Sequence, residues 1–249
     1  HPRTQAFYFV PRDGMIKQGP IASNRDRTLE KHGPFHTSRD YFTSTAERQL
    51  RLIADGPLYP EYPKEAFVFY RMLRDRVAPI LATPPSRIGG FYLKHADDMG
   101  DHLLVDKNCN ITAVMDWQYA RFVPPREAFG PSLFTANLGN LHRGVAGLCV
   151  DDKLLSTCLR RQGRADLADL ARGSELSRRF HLGLSSGLEL PEISRLIRAV
   201  LCLLDGREAP RSGVGAWVEQ EWACAVGDPW REKTMKLVQD IERAKLEEA

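Results

Sequence analysis

The residues able to do chemistry crowd into one stretch, Lys94-His95-Ala96-Asp97-Asp98-Met99-Gly100-Asp101-His102, with Asp116 following at the end of the apolar run Ile111-Thr112-Ala113-Val114-Met115. His95 and Asp97 stand at H-x-D spacing, and Asp116 closes the next expected hairpin. Two carboxylates at the ends of neighbouring strands suit phosphoryl transfer, which is governed by positioning and charge neutralisation. In that chemistry Asp97 accepts the proton of an attacking hydroxyl, and Asp116 holds Mg²⁺ between nucleotide phosphates. His95 reads as a structural loop histidine, hydrogen-bonded to backbone. Asp98, Asp101 and His102 form either a further metal-binding group or a solvated acidic loop. Lys94 meets either a phosphate or, as strand lysines commonly do, solvent. Each aspartate alone could be a turn or strand-end residue; two motifs matched across a hairpin are more specific than either.

These residues need elements to hold them. Three short β-like runs, 91–93, 103–105 and 111–115, surround the cluster, and Asp106-Lys107-Asn108-Cys109-Asn110 is a turn-rich string that joins the last two as a hairpin. An earlier hairpin is expected within 5–22, around Pro11-Arg12-Asp13-Gly14. Thr37 or Ser38 offers an N-cap to a helix with the stripe Phe42, Ala46, Leu50 and Ile53. A second helix starts near Lys64, with Phe67, Tyr70, Leu73, Val77 and Ile80 on one side. Further helical patterns cover 153–161, 164–172, 175–187, 191–205, 214–226 and 229–246. The expected class is α+β, mainly helical, in a single domain over 1–249.

The run from Phe91 to Asp106, together with Asn110-Ile111-Thr112-Ala113-Val114-Met115-Asp116-Trp117, resembles the catalytic loop and metal-binding strand of aminoglycoside phosphotransferase-like proteins, especially fungal members of that family. Val123-Pro124-Pro125-Arg126-Glu127-Ala128-Phe129 and Gly33-Pro34-Phe35 are similar too, so the resemblance covers about residues 5–140 and reaches the helical tail in general character only. It implies a protein-kinase-like fold, ATP and Mg²⁺ as cofactors, and transfer of the γ-phosphoryl group to a small-molecule hydroxyl. It implies Asp97 as the base, Asp116 as the metal ligand and His95 as a structural loop residue. The sequence departs from the pattern in two places. His102 stands where the family has a metal-binding Asn, with Asp101 where Gly is common, so a second metal oxygen would have to come from Asp98 or Asp101. Upstream of residue 90 there is neither a Gly-rich phosphate loop nor a V-A-I-K strand. The chain therefore reads as a carboxy-terminal lobe: a post-hinge hairpin (5–22), helices (37–82), the catalytic-loop region (91–117) and a helical tail (150–249). The missing amino-terminal lobe, or a partner protein, is an expected companion. The alternative is a non-catalytic, pseudokinase-like binding or interaction module.

Composition excludes other classes. With 35 Lys+Arg against 32 Asp+Glu, the formal charge of +3 is too small for a nucleic-acid footprint. No window approaches the roughly 18 apolar residues of a membrane span, and no signal segment is evident, so a cytoplasmic chain is expected. The first residue, His1, suggests processing or excision from something longer. Five cysteines without a C-x-x-C pair read as reduced, mostly buried thiols. Arg160-Arg161, Arg164, Arg178-Arg179, Arg195 and Arg198 could gather into a basic patch. Trp217, Trp222 and Trp230 read as packing residues, and 231–248 as a solvated helical face.

Overall fold

Thr37 starts the first long helix. Its extended backbone (φ −129°, ψ 155°) presents the hydroxyl to the Asp40 N–H at 3.0 Å, and Asp40 puts a carboxylate in the positively polarised first turn. Helix α1 (Ser38–Ala54) buries Phe42, Ala46, Leu50 and Ile53 completely. Burial of such side chains contributes roughly 1.5–3 kcal/mol for each large one. The helix stops at Asp55-Gly56, where Gly56 takes φ +93°, a conformation that L side chains rarely adopt. The structure, a computed structural model, describes residues 7–9, 16–18, 31–83, 88–95, 97, 99–117, 120–184, 187–206 and 213–247; Asp98 and the turn of the first expected hairpin lie outside these.

Helix α2 (Pro63–Met72) opens with Pro at its first position, where the missing N–H is no loss. It runs into a π-helical turn (Leu73–Val77) and then α3 (Ala78–Ala82). Pro79 has no N–H to return to the preceding turn, and the chain instead closes a wider ring in which Ala78 N–H donates to Leu73 O. The extra residue slips the stripe by one. Ile80, expected on the buried side, is 41% exposed, and Leu81 at 3% takes its place.

Three two-stranded antiparallel sheets are found among the described residues. β1 (Phe7–Phe9) pairs with β2 (Ile16–Gln18). β3 (Tyr92–Lys94) pairs with a later strand, β6 (Arg121–Val123), in the register Tyr92↔Val123, Lys94↔Arg121. Between them β4 (Leu103–Val105) and β5 (Ile111–Val114) form the expected hairpin, with a register shift at Leu104/Val105. Asp106 builds its turn by accepting the N–H groups of Asn108 and Asn110 and the Asn110 side-chain amide, which hold its carboxyl below the usual range. β6 was not expected, because three residues beside Pro124-Pro125 are too few to display an alternation.

Among the described residues eight helices follow: α4 (Pro125–Phe129), α5 (Leu138–His142), α6 (Val150–Arg161), α7 (Ala165–Ala171), α8 (Leu176–Gly183), α9 (Leu190–Asp205), α10 (Gly213–Cys224) and α11 (Pro229–Glu247). The protein is thus mainly helical α+β. Its core joins α1 and α2 to α8 and α9, with Phe42 edge-on to Phe180 at 5.3 Å and the Tyr70 hydroxyl donating to Gly183 O at 2.5 Å. Trp217, Trp222 and Trp230 pack against this core, and Arg231 lies 4.9 Å over the Trp222 ring. α11 is more than a solvated face: it packs on α1 and α2, Thr234 is fully buried, and Lys233 pairs with Asp55. The cysteines also differ from expectation. Cys109, Cys158 and Cys224 are exposed and Cys149 and Cys202 half-buried, because they fall at a hairpin turn, at a helix N-cap and on helix faces turned from the core. No helix among the described residues is long and apolar enough to cross a membrane.

Candidate active site

The site is built on the ends of β3, β4 and β5. β3 delivers the chain to His95, and Lys94 anchors that delivery point. Its ammonium is buried and donates to Glu127 O at 2.8 Å, so Lys94 meets neither phosphate nor solvent as the sequence had suggested. Beneath it, Arg121 donates to Glu127 Oε1 at 2.8 Å and to the Tyr41 hydroxyl at 3.2 Å, with the His181 ring at 3.1 Å. Burial alone would raise the Glu127 carboxyl; Arg121 above all, with His181 and Lys94 beside it, outweighs that and holds the group below its ordinary value. Burial pushes the Tyr41 hydroxyl well up, so Tyr41 stays neutral. This polar cluster fixes β3 against β6 and α4 at the foot of the loop.

Above it, His95 Nε2 lies 2.7 Å from Met115 O. A carbonyl only accepts, so Nε2 carries the proton. Met115 is held from its other side by its N–H, which donates to His102 O at 2.9 Å and extends the β4–β5 ladder. The His95 ring is 5.1 Å from His102 and 5.1 Å, edge-on, from Trp117, whose indole N–H donates to Val114 O at 2.9 Å. Met115 and Trp117 are thereby both tied down, and Asp116 between them sits at φ +57°, the left-handed region that a non-glycine residue seldom occupies.

The sequence-selected residues are distributed as follows. Asp97 Oδ2 is 3.7 Å and Asp101 Oδ1 3.6 Å from His102 Nε2, within electrostatic reach but beyond hydrogen-bond length. His95 and His102 flank the peptide that leads into Asp116. Asp97 keeps 37% of its side chain exposed and Asp116 is exposed, so both carboxylates are open to a ligand. Asp98 lies outside the described residues.

Among the described residues no group of three or more His, Cys, Asp and Glu side chains could hold a metal ion by itself. Mg²⁺ in phosphoryl-transfer sites is held through one or two carboxylates plus the substrate's phosphates, and Asp116 fits that lesser demand. His102 does not fit as a second ligand, since imidazole is a poor partner for a hard cation.

The residues that position the site were not singled out as such from sequence: Lys94, Arg121, Glu127 and Trp117. The one available signal was Pro124-Pro125-Arg126-Glu127, a helix start that places Glu127 in a first turn. A second buried network was misread. Arg178 pairs with Asp152 and donates to Ser132 O at 2.7 Å, while Arg179 pairs with Glu175 at 2.8 Å and donates to Leu141 O and Val145 O. Arg160 pairs with Asp169 and Arg164 with Asp166. These arginines are consumed by carboxylates and carbonyls, so they form no basic patch. The buried pair instead pins the segment 131–147, whose Phe134 ring packs against Gly100 of the loop after β3: a Cβ there would meet it at 3.2 Å. Comparison with protein-family models, with curated proteins and with solved structures finds no match to the chain.

Proposed function

We propose that the chain is the catalytic lobe of a phosphotransferase similar to the aminoglycoside phosphotransferase-like family, with a protein-kinase-like arrangement, moving the γ-phosphoryl group of ATP to a small-molecule hydroxyl. The observation that carries this reading is the tether between His95 and Met115, which locks the H-x-D loop to the strand end bearing Asp116. Asp97 accepts the proton of the attacking hydroxyl, and its exposure leaves room for an acceptor. Asp116 is the carboxylate that would hold magnesium; magnesium, when bound, neutralises charge on the transferred phosphates.

A second reading has its own support. The β4–β5 hairpin exposes Leu104, Val105 and Ile111, and Met115 and Trp117 continue the apolar surface. A two-stranded hairpin is marginal alone in water, and such a surface suits a covering lobe or partner protein. A non-catalytic binding module would use that surface and leave the aspartates idle.

Titration calorimetry of the chain with ATP, with and without Mg²⁺ and beside Asp116→Ala, separates the two. Magnesium-dependent binding that disappears in the variant supports the phosphotransferase. No binding up to millimolar ATP overturns it for this chain and favours the binding module.

A further inference from the structure

The helical part of the molecule holds a pocket of about 310 Å³. Leu141, Leu188 and Leu196 give it an apolar floor, and Met99 enters its lining from the catalytic loop. Two residues of chain span at most about 7 Å, so the Met99 backbone lies within that distance of Asp97. The volume is roughly ten times the ~30 Å³ share of one water molecule in the liquid, enough for a small ring with a short side chain.

The charged lining decides what that molecule should carry. Arg195 and Glu192 sit one turn apart on α9, and His142 adds a further donor. The Glu192 carboxylate is turned to the start of its own helix, where it accepts the Glu189 N–H at 2.9 Å. Arg195 differs from the arginines paired elsewhere: among the described residues its side chain meets no ion-pair partner. Its backbone is set firmly: a Cβ at Gly144 would meet Arg195 O at 2.8 Å, so the turn after α5 packs directly on this part of α9. From that anchored backbone the exposed Arg195 side chain lines the edge of an apolar pocket.

We infer that this pocket is the acceptor site and takes a hydroxyl compound with an apolar body and a carboxylate, the carboxylate pairing with Arg195 and the hydroxyl turned toward Met99 and Asp97; the acceptor role rests on the phosphotransfer reading above. In the reaction the hydroxyl oxygen bonds to the γ-phosphorus of ATP. The bond from that phosphorus to the bridging oxygen breaks, its electron pair leaves with ADP, and the hydroxyl proton passes to Asp97 and then to solvent. A carboxylate is well matched to Arg195 because the guanidinium presents two parallel donors.

The test is calorimetric titration of the full chain, without nucleotide, with three probes on one skeleton: 3-(4-hydroxyphenyl)propionate, its neutral amide, and tyramine. The carboxylate should bind at least about tenfold more tightly than the other two, as expected for one charge-assisted pair. Arg195→Gln, on an exposed position, should remove that advantage and leave the amide unchanged. The inference is overturned if no probe binds, if the three bind equally, if Arg195→Gln has no effect, or if tyramine is preferred and that preference is lost in Glu192→Gln. Because nucleotide is absent, the result does not depend on ATP binding. Arg195-dependent binding of a probe that the chain leaves unphosphorylated with magnesium and ATP upholds the carboxylate pocket and overturns its role as acceptor site.

Discussion

His95 Nε2 lies 2.7 Å from the carbonyl oxygen of Met115, so the loop carrying Asp97 is fastened to the strand end carrying Asp116 by one side chain. The two aspartates are distant in the sequence, and neither strand pair contains both. β3 pairs with β6, and β4 pairs with β5. The imidazole is the bridge between those two sheets.

Removing the bridge should therefore uncouple the site at modest cost to the fold. His95→Ala loses one exposed hydrogen bond, at most about 0.5–1.5 kcal/mol in urea unfolding. It should also weaken magnesium-dependent ATP binding. A variant that binds ATP as the wild type does would show that the tether is not needed.

Asp97→Asn keeps shape and removes the carboxylate proposed as the base. Loss of a positioned general base lowers turnover by about 10²–10⁴, while the melting temperature should stay close to wild type because Asp97 is over one-third exposed. Formation of ADP and phosphorylated acceptor, measured under saturating ATP and acceptor, checks this; unchanged turnover would remove Asp97 from the chemistry.

Lys94→Met keeps the aliphatic stem and deletes the ammonium that donates to Glu127 O. A hydrogen bond from a buried charged donor contributes about 1.5–3 kcal/mol. The Glu127 carboxyl, which loses one of the cations holding it down, should rise. Denaturant unfolding would detect the loss, and a wild-type midpoint would mean that Lys94 is not an anchor.

Asp152 supplies the pH dependence. Burial alone would raise its carboxyl, but the Thr135 hydroxyl, the Cys149 N–H and Arg178 together hold it below its ordinary value. A carboxyl depressed in the folded state stabilises above its unfolded pKa, about 3.9. That contribution is lost as pH falls through the lower folded value. Asp152→Asn should cost about 3–5 kcal/mol at neutral pH, since it leaves Arg178 short of its buried partner. Its stability should fall less steeply than that of the wild type below about pH 4. Parallel curves for the two proteins would contradict this.

Gly183→Ala tests the packing of α8 on α2. The added methyl would lie 2.9 Å from Phe69 Cζ and 3.2 Å from Leu73 Cδ1. Overpacking of this kind costs about 1–3 kcal/mol, against a helix-propensity gain below about 1 kcal/mol at a helix end. A lower thermal midpoint is expected, and an unchanged or higher one would mean that the Phe69 and Leu73 side chains yield freely.

Much of the fold was legible because its signals are local. Thr37 caps α1, the stripe through Phe42 and Ile53 is buried as spaced, and Asp106 with Asn110 turns the β4–β5 hairpin; each depends on residues within a few positions of one another. The helices from α6 onward were visible for the same reason, to within a few residues at their ends. His95, Asp97 and Asp116 were also singled out by motif spacing, and His102 by its place in the family resemblance. What sequence could not supply was pairing between distant segments. β6 is a strand only because β3 lies beside it, and the π turn before Pro79 moves Ile80 outward through a shift that no periodicity encodes. The arginines 178 and 179 read as surface charge until Asp152 and Glu175 close around them, since charge in a string of letters carries no depth. Lys94 was misplaced for the same reason: its partner, Glu127 O, is brought to it by the β3–β6 register. Sequence determined which residues could do chemistry; the tertiary structure alone decided which of them meet, because that depends on long-range packing and desolvation rather than on neighbours in the chain.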